Sequence, residues 1–161
     1  MDPTSSSLAP ALAPVAGLLG TWVGDGAGSY PTIEDFSYRE ELTFTDVGKP
    51  FLHYVQRTWS PAGAAMHTET GYLRLPGDGT AEFVLAQPTG QTELCEGVVT
   101  AEADTLVLEL RASLLNSATA KQVSSTHRRY ELAGDRLVTT FGMAAVGQPM
   151  THHLRSELTR S

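Results

Sequence analysis

The sequence predicts a single all-β domain, a ten-stranded antiparallel up-and-down β-barrel, and three observations point to it. Beyond residue 20 the chain falls into short segments with β-branched or aromatic residues at every second position. Turn sequences built on glycine and proline divide those segments, drawing on 15 glycines and 9 prolines. At 161 residues there is room for one enclosed core and too little for two ordinary domains.

Taken in order, residues 1–12 read as a loose tail. They lack the basic flank of a secretory signal, and their prolines and serines interrupt any helix before it could span a bilayer. Residues 13–161 then form the barrel domain. It begins with one short helical turn over 13–19 that sets Val15, Leu18 and Leu19 on one face to plug a barrel end. The first strand is 20–26. The clearest alternation follows in Phe36, Tyr38, Glu40, Leu42 and Phe44, and the stops around it are Pro31, Gly48-Lys49-Pro50 and Pro61-Ala62-Gly63.

Further along, Pro76-Gly77-Asp78-Gly79 separates 67–75 from 81–87, and Pro88-Thr89-Gly90 separates the latter from 91–100. A strand over 106–110 comes next. Ala133-Gly134-Asp135 divides 123–132 from 136–145, and Gly147-Gln148-Pro149 precedes a last strand, 150–159. Sequential strands joined by tight turns make a meander, and closing it removes both exposed edges. A barrel of this size, like those of lipocalins and fatty-acid-binding proteins, encloses space for one small ligand. A two-sheet sandwich fits the strand count too, but its packed core leaves no cavity.

The formal charge is −7 and the 11 basic residues are scattered, so no basic stripe is present to neutralise a phosphate backbone and nucleic acid is not an expected partner. A membrane is not expected either. Cys95 is the one cysteine, which excludes an internal disulfide and cysteine-rich metal sites and suits a reducing cytoplasm.

Gly20-Thr21-Trp22-Val23-Gly24-Asp25-Gly26 sets glycines at spacing two around a tryptophan. Such glycines clear one face of a strand. They let it bend while Trp22 plugs the barrel bottom, or they admit a flat ligand. The 5 histidines, His53, His67, His127, His152 and His153, are the candidate transition-metal ligands. Of the adjacent pair only one can face a cavity. Parity groups His152 with Met150, Leu154 and Leu158, and His153 with Thr151, Arg155 and Glu157, which favours His152 slightly. Hydrolase chemistry finds no support, because there is no G-x-S-x-G elbow and Cys95 has no neighbouring base. Glu40 and Glu41 face opposite sides and read as solvated charges.

GTWVGDG followed by SYPT resembles the GxWxGxG signature of the nitrobindins, small all-β haem proteins. DVGKPFLHY, MHTETGYLRL, LAQPTG and MAAVGQPMTHHL match the family in order and approximate spacing, and together they span most of the chain from Leu18 to Leu158. The resemblance implies a ten-stranded barrel holding one ferric haem b per subunit at its mouth. It places the axial iron ligand, and with it the catalytic role, at His153, against the parity preference. It sets Thr32 beside the haem on its open side, Met66, His67, Gln87 and Met143 around the pocket, and Lys121 within reach of a propionate. The family's function would follow: nitric oxide binding, and isomerisation of peroxynitrite to nitrate. A homodimer is compatible with the resemblance. Two other readings stay open, an apolar or fatty-acid carrier and a haem-based nitric oxide sensor without turnover. Arg57, Arg74, Arg111, Arg128 and Arg129 show no convergence of the kind a carrier uses to take a carboxylate.

Overall fold

Period-two burial and turn chemistry fix the order of the elements. The structure, a computed structural model, describes residues 7–161. A 3₁₀ helix, Pro10–Leu18, leads into ten strands: β1 (Gly20–Tyr30), β2 (Ile33–Lys49), β3 (Phe51–Trp59), β4 (Ala65–Arg74), β5 (Thr80–Ala86), β6 (Gln91–Glu102), β7 (Thr105–Asn116), β8 (Val123–Ala133), β9 (Arg136–Ala145) and β10 (Thr151–Arg160). Each strand pairs antiparallel with the next and β1 pairs with β10, so the sheet closes on itself. The ten strands are those the turn signals divide, with three differences, the first being that β7, read as 106–110, runs over Thr105–Asn116. β1 and β2 run further towards each other than read, because Pro31-Thr32 is a tight turn. The β6–β7 turn at Ala103-Asp104 carries neither glycine nor proline, and Ala103 takes φ 45 there.

The interior fills from one end. Leu12, Val15 and Leu18 of the 3₁₀ helix are fully buried. Their spacing of three places them in register on one face, because a 3₁₀ helix repeats every three residues. Pro14 lies inside this helix. It supplies no N–H, which suits a short element with few internal bonds. The ordered plug therefore starts at Pro10, and Leu12 takes the third position that the sequence reading gave to Leu19. The inner end of the tail read over 1–12 is part of the plug, and residues 1–6 of that tail lie outside the described residues.

Trp22 latches the plug to the barrel. It is fully buried, and its Nε1–H donates to Leu18 O at 2.9 Å. The Arg160 guanidinium lies 4.2 Å above the Trp22 ring and donates to Gly17 O at 2.8 Å. Above this layer Phe44, Tyr54, Phe83 and Tyr130 meet ring to ring at centroid distances of 4.8–6.4 Å. Among the described residues no helix is long and apolar enough to cross a membrane.

The seam between β1 and β10 decides between the two readings of the glycine motif. A Cβ on Gly24 would lie 2.0 Å from Glu157 O, so the two backbones approach each other only because no side chain intervenes. At Gly26 and Gly28 the space is filled by the rings of Tyr38 and Phe36, which a Cβ would meet at 2.3 and 2.2 Å. The cleared face thus serves the protein's own side chains. Gly24→Ala is expected to part the seam and cost at least about 3 kcal/mol in urea unfolding, against about 0.5 kcal/mol or less for Ala27→Ser on the outer face. Equal, small effects from both would show that the close approach carries no weight.

Candidate functional site

The end opposite the plug is open, and a cavity of about 520 Å³ runs inward from it. That volume lies within the usual range of small-molecule and cofactor sites. Its rim is largely apolar and its floor is polar.

His153 stands at the rim, and a break in strand register puts it there. β10 pairs regularly with β9 from Thr159 to Leu154, and the register then shifts by one residue between Leu154 and His152. Below this bulge the buried positions are Ser156 and Leu158, with Leu154 half-buried in the same file. Above it the inward parity passes to Thr151 and His153, while His152 is exposed. Both His153 and Leu154 therefore line the cavity. The parity preference for His152 fails for this reason, since counting by twos assumes an unbroken strand.

The β1–β10 ladder ends at Gly28 and Leu154, and the next carbonyl, Ser29 O, lies 3.0 Å from His153 Nδ1. A carbonyl only accepts, so Nδ1 carries the proton and Nε2 keeps its lone pair. Nε2 has no hydrogen-bond partner among the described residues. Burial holds the imidazole pKa below its ordinary 6.5 even though the Ser29 hydrogen bond opposes this, so the ring is neutral at pH 7. Tyr30, Phe36 and Phe141 pack around it at centroid distances of 5.3, 6.1 and 6.1 Å. Tyr30 is itself fixed, because its hydroxyl accepts from Ala145 N and donates to Met143 O, each at 3.1 Å.

Met66, His67, Gln87, Lys121 and Met143 line the same cavity as His153. His67 Nε2 stands 3.7 Å from Glu69 Oε2. The Gln87 side chain donates to Glu93. Lys121 is exposed at the mouth, and its backbone carbonyl accepts from Gln91 Nε2 at 3.0 Å. Thr32 is not in the cavity wall; it is exposed in the β1–β2 turn. Gly20, Trp22, Gly24 and Gly26 belong to the seam and the plug. Of the remaining histidines, His127 bonds Glu109 on the outer face at 2.9 Å and His53 approaches Thr70 at 3.2 Å.

The floor holds a charge cluster that the sequence reading missed. Arg128 is inside the barrel, not scattered with the other arginines. Its Nε and Nη2 donate to Glu93 at 2.9 and 2.7 Å, and its Nη1 and Nη2 donate to Glu69 at 2.7 and 2.9 Å. The remaining Nη1–H faces Tyr130 Oη at 3.5 Å. Tyr54 donates to Glu69, and Thr126 to Glu93, each at 2.9 Å. Burial pushes the Glu69 pKa up, but the Arg128 charge and the contact with His67 outweigh it and hold the carboxyl well below the usual range. Cys95 is buried beside Glu93 with its thiol pushed far up, which makes it inert.

Glu40 is likewise inside, 5% exposed, and its reading as a solvated charge is corrected. Tyr38 Oη lies 2.8 Å from Ser156 Oγ, and Ser156 in turn donates to Glu40. No cation stands within ion-pair distance of Glu40 among the described residues. Burial raises its pKa to about 7, and the nearby Glu69 adds to the rise. A folded pKa above the unfolded 4.5 means that the contribution is complete below pH 4.5 and is lost as the pH climbs through 7. The stability difference between wild type and Glu40→Gln is therefore expected to shift by up to about 3 kcal/mol in favour of the variant between pH 4.5 and pH 8.5. Parallel stability curves for the two proteins across this window would refute an elevated carboxyl.

Comparison with known proteins adds three findings. Residues 11–160 match the family model described as THAP4-like, heme-binding beta-barrel domain. A peroxynitrite isomerase of Nocardia farcinica is 48% identical over 158 residues, covering 97% of this chain and 94% of that protein, and peroxynitrite isomerase 2 of Mycobacterium marinum is 46% identical over 157 residues, covering 96% and 98%. The crystal structure of Rv2717c from M. tuberculosis superposes with a TM-score of 0.94 at 46% identity, covering 96% of this chain and 99% of that one.

Proposed function

The chain belongs to the THAP4-like, haem-binding β-barrel family, and from that premise we propose that it holds one haem b through His153 and isomerises peroxynitrite to nitrate, with nitric oxide as a further small ligand. One observation carries the reading: a neutral imidazole whose Nδ1–H is tied to Ser29 O and whose Nε2 lone pair is left free at the rim of a hollow barrel. This is the state an iron-binding histidine needs, and the backbone carbonyl is the outer partner that fixes its tautomer.

The surroundings fit a porphyrin. Met66, Leu114, Phe141, Met143 and Leu154 offer apolar surface around His153, and Lys121 supplies a cation at the solvent edge for a propionate. Among the described residues no group of three or more His, Cys, Asp or Glu side chains forms a metal site of its own, so iron held here would bring its other ligands in the porphyrin. The bound haem supplies the iron at which the peroxynitrite O–O bond is broken and the nitrate N–O bond made. The chain's own residues hold and orient: Ser29 sets the imidazole, Tyr30 and Phe36 brace it, and the apolar rim limits water. His67, tethered towards Glu69, faces the cavity and shapes access to it.

Arg128, although it lies inside the barrel, gives the carrier reading no support. All five of its guanidinium N–H groups are committed to Glu69, Glu93 and Tyr130, so Arg128 is not free to take a fatty-acid carboxylate. Turnover separates an isomerase from a sensor: haem-loaded protein is expected to speed peroxynitrite decay in stopped flow with nitrate as product, and an unchanged rate would leave only binding. His153→Ala is expected to weaken haem binding by at least about 100-fold while the circular dichroism of the barrel is kept, and His152→Ala to leave it within about threefold. The reverse ranking in a haem titration followed by absorption spectra would transfer the axial role to His152.

A further inference from the structure

Two loops on one side of the mouth are tied to each other, and a buried amide makes the tie. The β5–β6 turn, residues 87–90, lies against the β7–β8 loop, residues 117–122, where Ser117 N donates to Gly90 O at 2.8 Å. The contact is close: Gly90 takes φ 97, and a Cβ there would meet Ser117 Oγ at 2.3 Å. Gln91, the first residue of β6, is 4% exposed. Its Oε1 accepts from Thr89 Oγ1 in its own turn, and its Nε2 donates across the gap to Lys121 O at 3.0 Å.

The residue whose carbonyl is taken is the one that brings a cation to the mouth. β7 ends at Asn116 and β8 starts at Val123, so Lys121 is carried by a loop instead of by a strand ladder. Asn116 closes the base of that loop, its side chain bonding Val123 O and N at 2.9 and 3.0 Å, but Lys121 stands near the far end. A lysine ammonium sits on a flexible four-carbon stem with about 2 kcal/mol of rotamer entropy. An exposed ion pair contributes at most about 1 kcal/mol. A stem whose root also moved would lose most of that gain, and the Gln91 bond fixes the root.

We propose that Gln91 is a positioning residue for the cofactor: by holding the Lys121 carbonyl it aims the Lys121 ammonium at a haem propionate and slows the release of haem. It rests on the haem reading above and adds a residue that acts through another. The signature of such a role is coupling, since losing the Gln91 amide has no effect on haem once Lys121 has no charge to place.

The test mixes haem-loaded protein with excess apomyoglobin and follows haem transfer by absorbance. At low salt Lys121→Met is expected to speed haem loss about fivefold, the most that an exposed ion pair supports, and Gln91→Met about threefold. In the double variant Gln91→Met is expected to add less than about 1.5-fold, and in about 0.5 M sodium chloride its effect on the otherwise native protein is expected to shrink to the same level. Multiplied effects in the double variant overturn the proposal, as does a Gln91→Met effect that survives high salt or a Lys121→Met variant that loses haem no faster. Should Gln91→Met fail to fold, Thr89→Val on the exposed turn releases the same amide from its other end and enters the same cycle, with the same outcomes. In the haem-free protein, losing the tie is expected to speed exchange of the bonded Ser117 and Ala120 amide hydrogens by at least about tenfold and leave Leu108 unchanged. Unchanged exchange overturns the tie. A wild type that takes up no haem overturns the haem reading and the proposal with it, and the exchange measurement tells that failure from failure of the tie.

Discussion

Closure of the sheet at the β1–β10 seam is the constraint on which the remaining features depend. Along that seam Gly24 presents no Cβ to Glu157 O, which one would meet at 2.0 Å. The same absence of side chains at Gly26 and Gly28 lets Tyr38 and Phe36 lie flat against β1. Phe36 is then one of the rings that brace His153, and Tyr38 begins the hydrogen-bond chain through Ser156 to Glu40. Backbone proximity at one seam thus sets both the rim and one wall of the floor. The ladder ends at Gly28, where the register breaks between Gly28 and Tyr30 and between His152 and Leu154 coincide, so the carbonyl of Ser29 is left to accept from an imidazole instead of from a strand amide.

The buried Arg128 cluster serves a different purpose from stability. Replacing such a cluster by apolar side chains is often neutral or favourable, because desolvating the ions offsets most of their attraction. Removing one member is costly, since it strands a charge. Here the guanidinium joins Glu69 of β4 and Glu93 of β6 to β8 across the hollow part of the barrel, where no packed core can hold the walls apart or together. Bidentate geometry makes that link directional. The cluster keeps the cavity's shape where apolar packing would fill it.

Much of the fold was legible because turn chemistry and alternation are local signals. The inward file of β2, Phe36 through Phe44, is the file the alternation marks. Glu40 belongs to that file and was still assigned to solvent, because a carboxylate is seldom buried without a partner. Position outranked residue type there. Arg128 was hidden for the same reason: it alternates with Thr126, Tyr130 and Leu132, all buried, while its neighbour Arg129 faces outward. Partners 35 and 59 residues away in sequence cannot be read from spacing. The bulge at His153 had no signal either, since neither glycine nor proline stands at the break. The resemblance pointed to the histidine that lines the cavity, and parity to its exposed neighbour.

Charge is distributed along the cavity axis, and this bears on the proposed reaction. Peroxynitrite and nitrate are anions, and the floor beneath them sets the Glu69 and Glu93 carboxylates against the single charge of Arg128, with the Glu40 carboxyl, raised to about 7, beside them. Outside that cluster, among the described residues, Lys121 brings a cationic side chain to the cavity wall at the mouth. An anion in the cavity is therefore drawn towards the rim and repelled from below, with the repulsion strengthened by the low dielectric of the interior. His153 stands at that rim, neutral, with its lone pair free. Under the proposed function the gradient keeps an anionic reactant at the iron and prevents the product from lodging deeper in the barrel.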